Sequence, residues 1–189
     1  MNFIEINLAK LARKGNRQAF ADLVEIYKDK IYHLCFRMLG NPQEAEDAVQ
    51  ETFMRVYIHI DRFDDHQKFS TWIFRIATNL CIDLLRKRKI IHSLDFHNSD
   101  QNQIDYYSIL PSNEVSLEQQ IILSETQRQI QKAIDSLPER YKSIIILKYM
   151  EDMSLQEIAD ILNLTVSTVK TRVHRGREFL RKKLIADPK

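Results

Sequence analysis

SLQEIADILNLTVSTVKTRVHRGREFLRKK, residues 154–183, holds two helical patterns separated by a short break. Ser154 and Glu157 have the spacing of a capping box, in which the serine caps the helix and the glutamate reaches back to it. Leu155, Ile158, Ala159 and Leu162 then mark one helical face. Asn163-Leu164-Thr165 interrupts the pattern. Asn163 tolerates a left-handed backbone, and Thr165 is placed to cap a second helix. At about 100° per residue, Val166, Val169, Val173, Gly176, Leu180 and Leu184 form one narrow buried stripe. Ser167, Thr168, Thr171, His174 and Arg175 lie opposite it. Lys170, Arg177 and Arg181 flank one edge, and Arg172 and Lys183 flank the other. Small polar groups in the middle with cations on both rims suit a major groove, where the centre meets base edges and the rims meet phosphates. The pattern is a helix-turn-helix with a recognition helix. A solvated basic face would carry the same cations, but not the capped first helix, the small Ala159 and the break.

The whole chain agrees with a helical reading. Three Gly and four Pro among 189 residues leave too few tight turns for a multi-stranded sheet, so the fold expected is all-α. The formal net charge of +2 says little about partners, which must be read from where the charges lie. Cys35 and Cys81 occupy apolar positions of helical patterns and form no C-x-x-C pair, which fits buried thiols in a reducing cytoplasm. His33 and Cys35 face different sides of a helix, so no metal site is expected there. No apolar run reaches the roughly 18 residues of a membrane span. The opening MNFIEINLAKLARKG mixes charges into its apolar positions, unlike a signal peptide. The chain is therefore read as cytoplasmic and not as a membrane protein.

Residues 3–14 read as a short helix ending at Gly15, after which Asn16 can cap the next. Phe20, Leu23, Val24, Tyr27, Ile31, Leu34, Cys35 and Met38 recur at helical spacing up to Leu39. Gly40-Asn41-Pro42 ends that helix and opens another. The helix from about 42 to 61 buries Ala45, Val49, Thr52, Phe53, Val56 and Ile60. It is acidic: between positions 43 and 65 the carboxylates Glu44, Glu46, Asp47, Glu51, Asp61, Asp64 and Asp65 stand against Arg55 and Arg62. A second stripe, Asp47, Gln50, Glu51, Met54 and Ile58, mixes carboxylates with large apolar groups. Either it is a partner surface with an apolar centre and charged rim, or the protein's own helices cover Met54 and Ile58. Spacing alone does not choose.

FDDHQKF, residues 63–69, breaks the period and reads as a loop; Ser70 or Thr71 would cap a helix running to about Lys89. Its core stripe is Ile73, Ile76, Ala77, Leu80 and Leu84. Its other stripe is Trp72, Arg75, Asn79, Asp83 and Arg86, followed by Lys87, Arg88 and Lys89. An aromatic, an amide and cations on one face suit unpaired bases, which stack on the ring and offer edges to the amide. A core tryptophan beside a solvated basic end fits the spacing slightly better. No Lys or Arg occurs between Lys89 and Arg128, and residues 92–113 read as a polar, acidic linker. Helical periodicity resumes at Ser116. Leu137-Pro138-Glu139 opens a further helix with Tyr141, Ile144, Ile145, Leu147 and Tyr149 on its apolar face. Nothing points to catalysis: no phosphate-cradling glycine loop, no nucleophile elbow and no H-E-x-x-H occur. Glu44, Asp47 and Glu51 lie along one helix without a second carboxylate cluster, which argues against a metal-dependent nuclease.

Four blocks carry a family resemblance: AFADLVEIYKDKIYHLCFRMLGNPQEAEDAVQETFMRVY (19–57), KFSTWIFRIATNLCIDLLRKRK (68–89), LPERYKSIIILKYMEDMSLQEIADIL (137–162) and VSTVKTRVHRGREFLRKKL (166–184). In this order they resemble bacterial RNA polymerase sigma factors of the extracytoplasmic-function (ECF) group, within which the chain looks most like the sigma-W type. The resemblance implies two small helical domains. Residues 1–90 would be the region 2 bundle, 91–113 a flexible linker, and 114–186 the region 4 helix-turn-helix domain. Asp47, Gln50, Glu51 and Met54 would bind the coiled coil of the polymerase β′ subunit. Lys68, Trp72, Arg75, Asn79, Asp83 and Arg86 would engage the −10 element and its unwound strand. Ser167, Thr168, Lys170, Thr171, Arg172, His174 and Arg175 would read the −35 element, and the other side of region 4 would meet the β flap. Also implied are promoter-specific initiation for a cell-envelope stress regulon, control by a membrane-bound anti-sigma factor, and no cofactor or catalytic residue. The competing reading is a helix-turn-helix regulator that is not a polymerase subunit; such a protein should carry a ligand, phosphoacceptor or dimerisation domain.

Overall fold

The computed structural model describes residues 3–94 and 128–186. All regular structure among them is helical: α1 (Phe3–Arg13), α2 (Arg17–Leu39), α3 (Pro42–His59), a 3-10 turn at Ile60–Arg62, α4 (Phe69–Leu94), helical residues 128–135 (α5), α6 (Glu139–Tyr149), α7 (Leu155–Leu162) and α8 (Val166–Ala186).

The helix ends follow the local chemistry. Asn16 Oδ1 accepts from Ala19 N at 3.0 Å, and Asn41 Oδ1 accepts from Glu44 N at 3.1 Å, so each asparagine satisfies an orphan amide of the helix it opens. Gly40 closes α2 at φ +71°, where its N–H donates to the Phe36 carbonyl. A residue with a Cβ would be strained at that angle. The capping box at α7 is complete: Glu157 N donates to Ser154 Oγ, and Ser154 N donates to Glu157 Oε2. Asn163 takes the left-handed conformation at φ +51°, and Thr165 Oγ1 accepts from Thr168 N at 3.2 Å to start α8.

α2 is the axis of the N-terminal bundle and packs on α1, α3 and α4. Leu23, Tyr27, Ile31, Leu34 and Met38 are fully buried at three- and four-residue steps. Each such side chain contributes about 1.5–3 kcal/mol of transfer free energy. Cys35 and Cys81 are buried free thiols that touch between α2 and α4, and their hydrogen bond, with burial, pushes the Cys81 thiol up.

Helix α4 departs from expectation at both ends. It begins at Phe69, not after a Ser70 or Thr71 cap. Phe69 is fully buried against Tyr27, Phe63 and Trp72, so docking of its ring fixes the first turn. The helix continues to Leu94, past Lys89 and into the stretch read as linker. The rest of that linker, and the periodic residues up to 127, lie outside the described residues.

In the C-terminal unit α6 and α8 cross closely. An ideal Cβ at Gly176 would stand 2.8 Å from Ile145 Cγ1 and 2.9 Å from Cδ1, so glycine is what permits the approach. Val169 and Gly176 are buried as expected of the stripe. Val166 and Leu184, at its ends, are exposed because α6 and α7 cover only the middle of α8. Ile161, not assigned to the buried face of α7, is also buried. The reason is that α7 packs on α4 as well as on α8, while α6 packs on α2. The two units thus share one continuous apolar core, which one-face periodicity cannot reveal. Ion pairs rim this seam. Lys68 Nζ meets Glu157 Oε1 at 2.8 Å, Lys89 Nζ meets Glu139 Oε1 at 3.0 Å, and Arg37 Nη1 meets Glu151 Oε1 at 3.8 Å. The Lys89 contact is one of charge alone, since Glu139 Oε1 has no aligned hydrogen bond. Burial lifts the Glu151 carboxyl above its ordinary range, against the pull of Arg37 and Lys30.

Two outcomes are expected. Gly176→Ala forces Ile145 aside and should cost about 1–3 kcal/mol of stability, measured by urea unfolding followed by circular dichroism. The second concerns Glu157. Its partial burial raises the carboxyl pKa, but hydrogen bonds from Lys68 and Ser154 outweigh that and hold it down at about 2. A depressed carboxyl stabilises the fold above its unfolded pKa, and that stability is lost as pH falls from about 4.5 to about 2. Glu157→Gln should therefore cost about 1–2 kcal/mol at neutral pH and far less near the acid end of that window. An equal cost at both ends would remove the charge assignment.

Candidate nucleic-acid interface

Three surfaces carry the chemistry. The first is α8. Ser167, Lys170, Thr171, His174 and Arg175 are exposed on its outer face, while Thr168 and Arg172 are half-buried beside them. Thr171 Oγ1 donates to the Ser167 carbonyl at 3.0 Å, and the Thr168 hydroxyl bonds that of Thr165. These hydroxyls are thereby oriented while keeping acceptor lone pairs for a base edge. Lys170, Arg172, Arg175 and Arg177 make no ion pair among the described residues. Arg181 is held by Glu178 at 3.0 Å. The helix thus offers cations whose charge no carboxylate has cancelled, which is what a phosphate-lined groove requires.

The second surface lies on α4 and the loop before it. Asn79, Asp83 and Arg86 are exposed, and Arg86 pairs loosely with Asp83 at 3.5 Å. Trp72 falls between the two readings of its spacing. Its ring is half-buried, with centroids 5.4 Å from Phe63 and 5.6 Å from Phe69, so one side packs in an aromatic cluster. Arg75 is half-buried beside it, and its Nε is enclosed without a hydrogen-bond partner among the described residues. Lys68, at the start of this face, is held by Glu157 of α7. Not all of the basic end is available: Arg88 bonds the Leu39 carbonyl and the Glu44 carboxylate, and Lys89 meets Glu139.

The third surface is on α3. Asp47 and Gln50 are exposed and Glu51 is half-buried, with its carboxylate 2.6 Å from Arg55 Nε. Met54 and Ile58 are 53% and 60% exposed, so the protein's own described helices leave them uncovered. Tyr57, exposed next to them and edge-on to Phe20, enlarges the apolar patch. Tyr57 lies outside the stripe expected from the sequence, although the 54–57–58 spacing marks one helical face. A further apolar feature escaped the sequence reading: a groove of about 560 Å³ between α5, α6 and the end of α8, lined by Ile130, Ile145, Tyr149, Leu180, Leu184 and Ile185. Leu180 and Leu184, expected in a buried stripe, line this open groove.

The chain matches two protein families in order: Sigma-70 region 2 over residues 23–90 and Sigma-70, region 4 over residues 127–180. It is 51% identical over 175 residues to the ECF RNA polymerase sigma factor SigW of Bacillus subtilis, covering 93% of this chain and 94% of that protein. It is 32% identical over 179 residues to the ECF RNA polymerase sigma-E factor of Escherichia coli, covering 94% and 92%. Among solved structures, CnrH in complex with the cytosolic domain of CnrY superposes with a TM-score of 0.73 at 25% identity, over 98% of this chain and 99% of that one. The sigma factor RpoE, solved with the anti-sigma factor NepR from Bartonella quintana, has the same fold, with a TM-score of 0.69 at 24% identity over 89% and 98%. Two matched regions in order, with relatives of 51% and 32% identity over nearly their full length, place this protein among the ECF RNA polymerase sigma factors.

Proposed function

We propose that this chain binds core RNA polymerase and directs it to promoters read jointly by its two helical units. It works as a specificity subunit and not as an enzyme. One observation carries the reading beyond family membership: the exposed α3 face, in which Met54, Tyr57 and Ile58 adjoin Asp47 and Gln50. A subunit must dock on polymerase, and an exposed apolar centre with a charged rim supplies the means. Asp47, Gln50, Glu51 and Met54 would contact the β′ coiled coil through an apolar centre and charged rim. The groove between α5, α6 and α8 would take an apolar element of the β flap.

On this reading α8 enters the major groove of the −35 element. Ser167, Thr168, Thr171, His174 and Arg175 face bases, and Lys170 and Arg172 face the backbone. Lys68, Trp72, Arg75, Asn79, Asp83 and Arg86 engage the −10 element. The half-buried Trp72 leaves only part of its ring for stacking, so strand opening depends on a close promoter match. Polymerase fixes the spacing of the two units, which makes the second DNA contact effectively intramolecular. The assigned boundaries are region 2 at 1–90, linker at 91–113 and region 4 at 114–186, with α4 continuing four residues beyond the first. No helix among the described residues is long and apolar enough to cross a membrane. Work on core polymerase puts the protein in the cytoplasm. Its inhibitor would be a membrane-bound anti-sigma factor, in keeping with CnrH, which was solved with the cytosolic domain of CnrY.

Transcription in vitro with purified core polymerase tests the reading. Addition of this chain should give initiation at specific promoters. Tight, specific promoter binding by the chain alone, without initiation, would favour the regulator instead. Arg175→Ala should weaken −35 recognition by about 1–3 kcal/mol if the guanidinium reads a base, seen as a fall in occupancy of a consensus site relative to one altered at that position. Asp47→Ala should lower core affinity by about 1 kcal/mol in a fluorescence titration and leave promoter preference intact.

A further inference from the structure

Helix α1 lies ahead of the residues matched to Sigma-70 region 2, which begin at 23. Its buried side chains, Ala9 and Ala12, are small and bring the helix close to the bundle. Beside them in its last turn stand Lys10 and Arg13, where the helix dipole favours cations. Both reach the loop 63–68 that joins the 3-10 turn to α4. Arg13 Nη2 donates to the Phe63 carbonyl at 2.8 Å, across 50 positions of sequence. Lys10 Nζ meets Asp65 Oδ2 at 3.0 Å, and Arg13 Nη2 stands 4.0 Å from Oδ1. The hydrogen bond from Lys10, with one from the backbone amide of Asp65 itself, holds that carboxyl below its ordinary range. The loop is anchored on its inner side as well. Phe63 is buried, with its ring centroid 5.2 Å from Phe69 and 5.4 Å from Trp72. Between these anchors Asp64 Oδ1 accepts from His66 N, and the Asp64 carbonyl accepts from Gln67 N, both at 3.0 Å. Those two bonds are local and set the shape of the turn. The contacts of Phe63 and Asp65 set where the turn stands on the bundle.

We propose that α1 braces the −10 face: Lys10 and Arg13 are positioning residues that hold the 63–68 loop, and through it Lys68 and Trp72, in the attitude that reads the −10 element. A backbone carbonyl held by a guanidinium is a charge-assisted bond, stronger than a neutral one. It fixes the chain at Phe63, whose ring packs against Trp72. Movement at the Phe63 carbonyl is therefore passed to the ring that Trp72 leans on. The second contact acts on charge. Asp65 alone would repel a phosphate backbone, and two cations of α1 cancel it. Placement of a reading surface to within about 0.5 Å needs such support from behind. The inference rests on the assignment of Lys68 and Trp72 to the −10 element.

The test uses holoenzyme assembled from core polymerase and the full chain, on a promoter at which the wild-type chain initiates. Open complexes are read by the fluorescence of a base analogue within the −10 element. Lys10→Ala with Arg13→Ala should lower their formation about tenfold. It should also flatten the preference for the consensus −10 element over one altered at a single base, with core affinity and thermal unfolding unchanged. Arg13→Lys keeps a charge and a donor and should stay within about twofold of wild type. Lys10→Ala alone should lose about threefold. Asp65→Ala should fall in the same direction, and the two together should fall no further than the worse of them, since they act as one pair. Direct contact of Lys10 with a DNA phosphate would instead make Asp65→Ala a gain, because it frees the ammonium. That gain, or normal opening and preference in the Lys10→Ala, Arg13→Ala chain, overturns the brace. Lys68→Ala in the same assay tests the −10 assignment separately. Normal opening there removes the assignment; a loss there beside normal opening in the α1 variant removes the brace alone.

Discussion

Helix α7 has eight residues, too few to be stable alone in water. It persists because both of its sides are buried, one on α8 and the other on α4, and because a capping box closes its first turn. Glu157 serves both arrangements. One carboxylate oxygen accepts from the Ser154 backbone and hydroxyl, and the other accepts from Lys68 of the bundle. The short helix is therefore a shared part of two units that the chain order keeps apart. The turn that leads into α8 is supported from behind by the bundle that carries the α4 face.

Much of this architecture was legible because it depends on local chemistry. Asn16, Gly40, Ser154, Asn163 and Thr165 each take the capping or turning role expected of them, since those roles involve neighbours within four residues. The buried stripe of α2 was readable as well, because Leu23, Tyr27, Ile31, Leu34 and Met38 keep one helical period whichever neighbour covers them. The misses share a cause as well. Phe69 starts α4 because rings distant in sequence surround it, whereas cap rules look only at Ser70 and Thr71. Ile161 is buried because α7 has two neighbours. The Lys68–Glu157 pair spans 89 positions, and no pattern along the chain announces it.

The surfaces divide in the same way. The polar centre and cationic rims of α8 were readable from angles alone, since a helix that packs only along its middle leaves the rest to solvent. The acidic-apolar face of α3 was ambiguous until packing showed that no described helix covers Met54 and Ile58. Trp72 could not be resolved by spacing because it is neither free nor enclosed: one part of the ring belongs to the aromatic cluster with Phe63 and Phe69, and the remainder to the surface. The near-neutral net charge conceals a segregation, with uncancelled cations on α8 and cations of the bundle facing carboxylates across the seam.

The glycine at position 176 does more than let two helices approach. With Ile145 close against the position a methyl would take, a side chain there would displace Ile145 or turn α8 about its own axis. Arg175 is the adjacent residue and points outward. A rigid reader tolerates errors of only about 0.5 Å at its contacts, so, on the proposed reading of α8, a roll too small to unfold the domain would still carry that guanidinium away from a base. The aim of the recognition helix is thus set on its hidden side, by the absence of one carbon atom.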